Sequence, residues 1–348
     1  MTDIEKLIRP NILGMEPYST ARDEFSADGG PAPEVFLDAN ENPYDWGYNR
    51  YPDPHQKELK GILSKIKNLP VENIFLGNGS DEAIDLIFRV FCRPGVDNVV
   101  CIAPSYGMYS VCAGINDIEV RSVMLGDDFS LPVDALFAAA DANTKAMFIC
   151  SPNNPSGNAY DPEVLLDICR KFEGIVVVDE AYADFSKFCS LKESVLEVNN
   201  LVVLQTLSKA WGMAGLRLGM AFANATIIDF MSRVKYPYNI DQAALNVITA
   251  RLNELGTTAP GLDEIISERE KLAEELKSLP AVAKVYPSDA NFLLVKFNTD
   301  ATEVYNLLIA AGTIVRNRTR VPLCEGCLRI TVGTPEENRK VISQLKAL

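Results

Sequence analysis

Short apolar runs, separated by polar turns and amphipathic stretches, dominate the first two thirds of the chain. Runs of this length suit buried β-strands, whereas the longer amphipathic stretches suit helices. Strands are predicted at residues 34–37, 74–76, 99–102, 120–124, 146–150, 175–178, 201–204 and 219–222. Helices are predicted at residues 56–66, 82–91 and 162–171. This alternation predicts an α/β fold in which helices cover both faces of a mainly parallel sheet.

The pattern changes after residue 255, where we expect a second, smaller domain. Its predicted helices are 262–279, 302–311 and 336–348, and its predicted strands are 282–286, 292–296, 314–316 and 327–332. This order predicts an α+β unit. Residues 1–30 show no clear pattern and are predicted to form an irregular N-terminal arm. The predicted division is an arm at 1–30, a large domain at 31–255 and a small domain at 256–348.

Polar motifs follow the predicted strands at several points. Side chains able to do chemistry come just after apolar runs at Ser80, Tyr106, Asn154, Asp179 and Lys209. In open α/β sheets, ligands bind beyond the carboxyl ends of the strands. We therefore expect these five side chains to share one rim of the sheet, although they are far apart in sequence.

Charge and composition argue against several classes of function. Acidic residues outnumber basic residues 47 to 33, giving a net charge of −14, which disfavours nucleic acid or an anionic membrane as the main partner. No apolar run is long enough to span a bilayer, and the N-terminus has no signal-peptide core. The single histidine, His55, argues against a multi-histidine metal site and a Ser-His-Asp triad. We expect a cytoplasmic enzyme that uses lysine, tyrosine or carboxylates for acid–base chemistry.

The eight cysteines are scattered through the chain. Buried free thiols in a reducing cytoplasm are the simplest interpretation. Cys324-Glu-Gly-Cys327 has CxxC spacing, but no second pair accompanies it. The spacing therefore favours ordinary thiols over a zinc or redox site.

The stretch Thr206-Leu-Ser-Lys-Ala-Trp-Gly-Met-Ala-Gly-Leu-Arg-Leu-Gly219 carries the most distinctive chemistry. Lys209 lies among small and apolar residues, where partial burial favours the neutral, nucleophilic amine. Ser208 and Arg217 are suitable partners for a phosphate. An imine-forming lysine beside a phosphate site is what pyridoxal 5'-phosphate (PLP) requires. The alternative is a surface lysine in a loop after a strand.

Two further motifs fit the same cofactor, each with a simpler alternative. Gly77-Asn-Gly-Ser-Asp81 precedes a helix, so its N–H groups can bind a phosphate, or Ser80 or Asp81 can be a plain N-cap. Asp179 ends an apolar strand, and a buried carboxylate needs a partner. A protonated pyridine nitrogen is such a partner. An arginine, or a magnesium ion shared with Glu180, is the alternative.

Four arginines lie close together near the C-terminus, at Arg316, Arg318, Arg320 and Arg329. In an acidic chain they indicate a site for an anionic substrate. The alternative is an exposed basic strand edge, which suits Arg318 and Arg320. Arg329 alternates with apolar neighbours and is harder to explain as a surface residue.

Taken in order, these motifs resemble those of the fold-type-I PLP-dependent aminotransferases. The general markers are Asn154 in Asn-Asn-Pro-Ser-Gly, Asp179, Tyr182, Ser208-Lys209 and Arg217. More specific segments are Leu37-Asp-Ala-Asn-Glu-Asn-Pro43, Arg50-Tyr-Pro-Asp-Pro54, Pro104-Ser-Tyr-Gly-Met-Tyr109, Asp179-Glu-Ala-Tyr-Ala-Asp-Phe185 and Leu328-Arg-Ile-Thr-Val-Gly333. The resemblance covers nearly the whole chain. It implies a large domain with a mainly parallel seven-stranded sheet between helices, plus a smaller α+β C-terminal domain.

The resemblance also implies a role for each matching residue. Lys209 would bind PLP covalently and then move a proton between substrate and cofactor. The other cofactor contacts would be Asp179 at the pyridine nitrogen, Asn154 and Tyr182 at the phenolic oxygen, Tyr106 on the ring face, and Gly79, Ser80, Asp81, Ser208, Arg217 and, from a partner subunit, Tyr51 at the phosphate. The substrate would be enclosed by Arg329, Arg316, Tyr18 and Asn40.

The same resemblance implies a homodimer with shared active sites. The amino group would pass from L-histidinol phosphate to 2-oxoglutarate, giving imidazole acetol phosphate and L-glutamate, a step of histidine biosynthesis. The alternatives are an aromatic amino acid aminotransferase, a PLP-dependent threonine-phosphate decarboxylase and a PLP-binding regulatory protein. Arg316 favours the phosphorylated substrate.

Overall fold

A computed structural model describes residues 2–20 and 35–347 of the chain. The strands are β1 (Ile74–Asn78), β2 (Asn98–Ala103), β3 (Glu119–Met124), β4 (Thr144–Cys150), β5 (Ile175–Asp179), β6 (Leu201–Thr206), β7 (Leu218–Ala223), β8 (Val282–Val285), β9 (Phe292–Phe297), β10 (Arg316–Asn317) and β11 (Cys327–Thr331). The α-helices are α1 (Pro10–Leu13), α2 (Lys57–Lys67), α3 (Ser80–Phe91), α4 (Met108–Ile115), α5 (Val133–Ala139), α6 (Pro162–Lys171), α7 (Ala225–Val234), α8 (Gln242–Leu255), α9 (Leu262–Lys277), α10 (Ala301–Ala310) and α11 (Pro335–Lys346).

The first seven strands form one sheet, in the order β1-β7-β6-β5-β4-β2-β3. The neighbours from β3 to β6 pair in parallel, whereas β7 runs antiparallel to both β1 and β6. The predicted mainly parallel, seven-stranded sheet is therefore confirmed. The carboxyl ends of β2, β4, β5 and β6 lie along one edge, where open α/β sheets bind their ligands.

Both faces of this sheet are covered because both faces of its central strands are apolar. In β5, Val176 and Val178 join one hydrophobic core, whereas Ile175 and Val177 join the other, as the two-residue alternation of a strand requires. Every residue of β5 is buried, which is typical of a central strand in a parallel sheet. The last residue of this strand, Asp179, is thereby fixed at the ligand-binding edge.

Five helices of the structure are not predicted from the sequence, namely α4, α5, α7, α8 and the short α1 of the arm. Helix α4 is apolar on nearly all sides, so it shows little of the one-sided pattern that identifies a surface helix. The first turn of α7 contains the β-branched residues Thr226, Ile227 and Ile228, which favour strands. Tertiary packing overrides that preference, since Ile227 and Ile228 are buried against the large sheet.

The C-terminal strands form a separate antiparallel sheet, in the order β10-β11-β9-β8. One face contributes Leu293 and Leu328 to a local core with α9, so the predicted α+β unit is present. The other face turns Phe292 and Leu294 toward the core of the large sheet. We propose the domain boundary at residue 255, where α8 ends.

Some local predictions are wrong. Residues 35–37 form no strand and lie outside both sheets. Leu37 is 88% exposed, so its apolar side chain is not buried in the way that the predicted strand requires. The strand predicted at 314–316 begins only at Arg316. The arm is not entirely irregular, since Ile4–Leu7 and α1 are short helices whose apolar residues pack on the large domain. Residues 1 and 21–34, which include the rest of the predicted arm, lie outside the described residues.

Within the described ranges, no helix combines the length and the apolar character that a membrane crossing needs.

Candidate active site

One open pocket lies at the carboxyl edge of the large sheet, with an empty volume of about 520 Å³. It brings together side chains from five separate stretches of the chain. Its lining includes Gly79, Ser80, Asp81, Tyr106, Asn154, Asp179, Tyr182, Ser208, Lys209 and Arg217. All ten are sequence-predicted site residues. They converge because parallel strands place their carboxyl ends side by side.

Asp179 lies in the pocket with its carboxylate almost completely buried. The hydroxyl of Tyr109 donates to its Oδ2 at 2.7 Å, and the backbone N–H of Ala181 donates to its Oδ1 at 3.1 Å. Burial raises the pKa of Asp179, while these two hydrogen bonds act in the opposite direction. The described residues give this carboxylate no arginine partner, so the salt bridge considered from the sequence is absent there.

Lys209 lies on the loop that follows β6. The residue is exposed to the open pocket, and its Nζ lies 5.5 Å from the ring centroid of Tyr182. Desolvation lowers the pKa of Lys209, and the guanidinium of Arg329 lowers it further, while Asp179 raises it. A lysine in such surroundings has an increased fraction of neutral, nucleophilic amine.

The loop between β1 and α3 forms a cradle with the start of β7. Helix α3 begins at Ser80, and its N-cap, Gly79, provides no side chain to satisfy the first N–H groups. A Cβ atom at Gly79 would lie 2.7 Å from Nη2 of Arg217, and one at Gly219 would lie 2.1 Å from the backbone nitrogen of Ser80. Uncapped N–H groups at a helix N-terminus beside an arginine suit an anion such as a phosphate.

Ser208 completes this cradle from the loop after β6. Its backbone N–H donates to Oγ1 of Thr206 at 3.1 Å, and the two hydroxyl oxygens lie 3.0 Å apart. Oγ1 of Thr206 also lies 3.1 Å from the carbonyl oxygen of Leu218. Thr206 thus joins the two strands on either side of the cradle and fixes the position of Ser208.

Tyr106 lies at one side of the pocket. Its hydroxyl donates to Oδ1 of Asp81 at 2.9 Å, and its ring meets the ring of Tyr109 edge to face, with centroids 5.7 Å apart. Burial raises the pKa of Tyr106, and Asp81 raises it further. These two contacts fix the plane of the ring, and they give Asp81 a hydrogen-bond donor beside Arg217.

Asn154 links the pocket to the small sheet. Nη1 of Arg329 donates to its Oδ1 at 2.5 Å, and the guanidinium carbon lies 5.0 Å from the ring centroid of Phe292. The ring of Tyr182 meets Phe292 edge to face at 5.1 Å. Arg329 therefore connects strand β11 with the large-domain pocket, next to Lys209.

The sequence matches a family model described as aminotransferase class I and II over residues 25–345. This chain belongs to the class I and II aminotransferases. It is 51% identical to the histidinol-phosphate aminotransferases of Parabacteroides distasonis and Bacteroides thetaiotaomicron, over 346 residues that cover 99% of this chain and 99% of each relative. A relative of the same name from Flavobacterium psychrophilum is 48% identical over the same length.

Solved structures of similar fold include aminotransferases and a decarboxylase. The histidinol-phosphate aminotransferase of Clostridium acetobutylicum has a TM-score of 0.77 at 22% identity, over 86% of this chain and 90% of that one. That of Sinorhizobium meliloti, solved in complex with PLP, also gives 0.77 at 22%, over 86% and 82%. The L-threonine-O-3-phosphate decarboxylase of Porphyromonas gingivalis gives 0.72 at 22%, over 86% and 90%. At this identity the likeness establishes the fold alone.

The residues of this aminotransferase pocket fit PLP. The cofactor needs an amine, an anion partner for a protonated ring nitrogen and a phosphate site. Lys209 offers the amine, Asp179 offers a buried carboxylate without a cationic partner among the described residues, and the Gly79 cradle offers free N–H groups. A magnesium site is not favoured, because the described residues contain no cluster of three or more metal-ligating side chains.

Some predicted site residues lie elsewhere in this chain. Tyr51 and Asn40 line a second cleft, where the ring of Tyr51 stacks on Tyr238 with centroids 4.4 Å apart. Tyr18 is 73% exposed. Arg316 is also exposed, on the edge strand β10. A single chain therefore assembles the cofactor-facing part of the predicted site and leaves these four outside its pocket, while Arg329 lies beyond the lining and contacts it through Asn154.

Sequence reasoning missed Tyr109 and Thr206 as members of the site. Both occur in motifs that were recognised, but a local motif does not reveal which side chain hydrogen-bonds to a residue 70 positions away, as Tyr109 does with Asp179. A usable signal was the closeness of the two tyrosines in one recognised motif: Tyr106 lies in the turn just before α4 and Tyr109 in the first turn of that helix, and their rings meet edge to face.

Cys324 and Cys327 do not form a separate centre. Both are buried with free thiols. Burial raises the pKa of Cys324 to about 12 and that of Cys327 to about 11. A reactive cysteine requires a lowered pKa, so the structure favours the interpretation of ordinary packed thiols.

Proposed function

We propose that this aminotransferase transfers the amino group of L-histidinol phosphate to 2-oxoglutarate, with PLP as cofactor. The observation that carries the proposal is the 51% identity to histidinol-phosphate aminotransferases over 99% of both chains. The pocket supports it independently, because an amine, a buried carboxylate and an anion cradle line the same cavity. The products are imidazole acetol phosphate and L-glutamate, in histidine biosynthesis.

Bound PLP supplies an electron sink that stabilises negative charge on the substrate carbon from which a proton is removed. Lys209 binds the cofactor through Nζ and later carries that proton, a role suited to an amine whose pKa is lowered by desolvation. Asp179 accepts a charge-assisted hydrogen bond from the ring nitrogen and keeps the ring cationic. Asn154 and Tyr182 bind the phenolic oxygen.

The remaining residues position the ligands. Ser208, Arg217 and the N–H groups at Ser80 and Asp81 hold the cofactor phosphate, where the helix dipole also favours negative charge. Tyr106 supports the ring face. Arg329 holds the carboxylate of glutamate in one half-reaction and the substrate phosphate in the other, next to Lys209. Because one guanidinium binds the anionic group of either amino donor, glutamate or L-histidinol phosphate, a single pocket serves both halves of the reaction.

The test is a product assay with the PLP-loaded protein. Each of L-histidinol phosphate, L-phenylalanine and L-threonine phosphate is supplied with 2-oxoglutarate, and glutamate and carbon dioxide are measured. We expect rapid glutamate formation with L-histidinol phosphate. Glutamate formation with phenylalanine alone would identify an aromatic aminotransferase. Carbon dioxide release without consumption of 2-oxoglutarate would identify a decarboxylase, and no turnover would favour a binding protein.

We also propose a cytoplasmic homodimer with shared active sites. The free, mostly buried thiols suit a reducing compartment. Residues 37–51 present exposed apolar side chains, including Leu37 and Trp46 at 88% and 86% exposure, and patches of this kind mark interaction sites. In this arrangement Tyr51 reaches the cofactor phosphate of the partner, and Tyr18 and Asn40 help to enclose the substrate.

Shared sites can be tested by subunit complementation. The variants Lys209→Ala and Tyr51→Ala are each expected to be nearly inactive alone. After unfolding and refolding as an equal mixture, half of the dimers are mixed, and each mixed dimer has one intact site if Tyr51 acts across the interface. We therefore expect recovery of about a quarter of wild-type activity. No recovery in dimers shown to be mixed would mean that the sites are not shared.

A further inference from the structure

Three arginines lie on the same face of the small sheet. In the antiparallel pairing of β10 with β11, Arg316 is directly opposite Arg329, and directly opposite residues project to the same side. Arg318 follows two positions later, and its backbone N–H donates to the carbonyl oxygen of Cys327 at 3.0 Å, which continues the ladder. The period of two therefore places Arg318 on the face of the other two.

This cluster lacks compensating charge in the described part of the chain. None of the three guanidiniums forms an ion pair with a carboxylate there, and Nε of Arg318 and Nε of Arg329 are buried without a hydrogen-bond partner. Among the described residues, the acceptor for Arg329 is the neutral Oδ1 of Asn154. Like charges opposite each other in a sheet destabilise it, and buried unsatisfied donors add to that cost. An anion from outside the chain would reduce the repulsion between the guanidiniums and accept hydrogen bonds from them.

The cluster adjoins the proposed active site through Arg329, which donates to Oδ1 of Asn154 in the pocket lining. Burial lowers the pKa of Arg318, and Arg329 and Arg316 lower it further, whereas Cys324 and, to a smaller extent, Tyr182 raise it. The same Tyr182 lines the pocket with Lys209. Arg318 is half-buried on the same sheet face as Arg329, which contacts the pocket, in contrast to the neighbouring Arg320, which is exposed in a turn. The alternative of an exposed basic strand edge therefore suits Arg320 but not Arg318.

We propose that Arg318 is a specificity-determining residue, which completes with Arg316 and Arg329 a three-guanidinium site for the doubly charged phosphate monoester of the substrate. The proposal rests on the proposed function and adds to it the residue that separates a phosphate from a carboxylate. A carboxylate carries one charge and is satisfied by one guanidinium in a bidentate pair. A phosphate monoester carries about −1.5 to −2 charges at neutral pH and three acceptor oxygens, which suit additional guanidinium groups.

The test measures binding without turnover. PLP is loaded and fixed to the protein by borohydride reduction, and isothermal titration calorimetry follows binding of L-histidinol phosphate, L-histidinol and inorganic phosphate. For wild type we expect L-histidinol phosphate to bind far more tightly than either fragment. For Arg318→Gln we expect a loss of about tenfold or more for L-histidinol phosphate, as for a hydrogen bond between charged groups, and little change for L-histidinol.

The pH profile distinguishes this role from a structural one. The second phosphate charge forms with a pKa of about 6, so wild-type affinity for L-histidinol phosphate rises between pH 5 and 7. We expect a smaller rise in Arg318→Gln and a partly restored rise in Arg318→Lys, which keeps the charge. The matched control Arg320→Gln removes the same charge from the exposed turn and is expected to behave like wild type.

The outcomes separate the two proposals. If wild type prefers L-histidinol phosphate but Arg318→Gln keeps that preference and its pH profile, Arg318 is not a specificity residue, while the proposed function stands. Equal weakening of L-histidinol and L-histidinol phosphate would also overturn the inference, because it would indicate a general disturbance of the pocket. If wild type shows no preference for the phosphorylated ligand, or binds inorganic phosphate equally well, the proposed substrate itself is wrong.

Discussion

The hydroxyl of Tyr109 donates a 2.7 Å hydrogen bond to Oδ2 of Asp179, and both side chains are buried. This bond stabilises the ionised carboxylate against the desolvation that raises the pKa of Asp179. An ionised Asp179 is what a protonated ring nitrogen requires. Tyr109 is therefore a positioning residue that acts on the cofactor through Asp179.

Replacing Tyr109 with phenylalanine removes this donor and nothing else from the ring. We expect the pKa of Asp179 to rise further, so that as pH falls the carboxylate is protonated, and PLP affinity is lost, at a higher pH than in wild type. The measurement is the dissociation constant of PLP against pH, by fluorescence of the apoprotein. Tyr160→Phe is the control, since its hydroxyl contacts a backbone carbonyl away from the pocket. Coincident profiles for wild type and Tyr109→Phe would count against the assignment.

Lys209 destabilises the protein without its cofactor, because the fold lowers its pKa. Below the folded pKa, the lysine is charged in both the folded and the unfolded state, so the folded state bears the cost of desolvating the charge, a cost that exposure to the open pocket keeps small. That cost vanishes as pH rises above the unfolded pKa of about 10.4. We therefore expect the Lys209→Met apoprotein to melt slightly higher than wild type at pH 7, with the difference shrinking toward pH 10.

The same variant is expected to lose covalent cofactor. After incubation with PLP and borohydride, mass spectrometry should find the added mass in wild type and not in Lys209→Met. Wild-type turnover by this variant would rule out the proposed role of the amine. Thermal unfolding of the apoprotein gives an independent result, because it does not depend on which reaction the enzyme catalyses.

Gly219 permits the close approach of β7 to the start of α3. An added Cβ would lie 2.1 Å from the backbone nitrogen of Ser80 and 2.2 Å from the backbone carbon of Gly79, and backbone atoms cannot move aside at low cost. We expect Gly219→Ala to lose at least about 3 kcal/mol of unfolding free energy, measured by urea denaturation. Gly215→Ala is the control, because a Cβ there meets no atom within 4 Å. Equal stability of the two variants would refute the geometric argument.

Arg217 is expected to act on the cofactor phosphate alone. Arg217→Gln should weaken PLP binding by about tenfold or more, as for a charge-assisted hydrogen bond, while leaving binding of pyridoxal, which lacks the phosphate, nearly unchanged. Dissociation constants for both compounds are measured on the apoprotein. Arg251→Gln, which removes an exposed arginine paired with Glu254 on α8, is the control. A similar loss for PLP and pyridoxal would place Arg217 in a different role.

Local patterns were sufficient for much of this fold. The all-apolar runs of β4, β5 and β6 specify buried strands, because such runs hide both faces of a parallel sheet. The polar residues at or just after the ends of these strands identify Asn154, Asp179 and Lys209 as candidates, because ligands bind beyond the carboxyl ends of such strands. Segments without a one-sided or alternating pattern, such as α4, were missed because their form is decided by what packs around them.

The sequence by itself determined the α/β class, the family resemblance and the residues able to bind PLP, because these depend on residue type and on spacing within short motifs. The tertiary structure alone decided that β7 runs antiparallel to its neighbours, that Tyr109 supports Asp179, and that Arg329 meets Asn154 from 175 residues away. It also decided that Arg318 joins the cluster of Arg316 and Arg329. The physical reason is that distant side chains interact through space, and their separation is fixed only when the strands pair and the two sheets pack together.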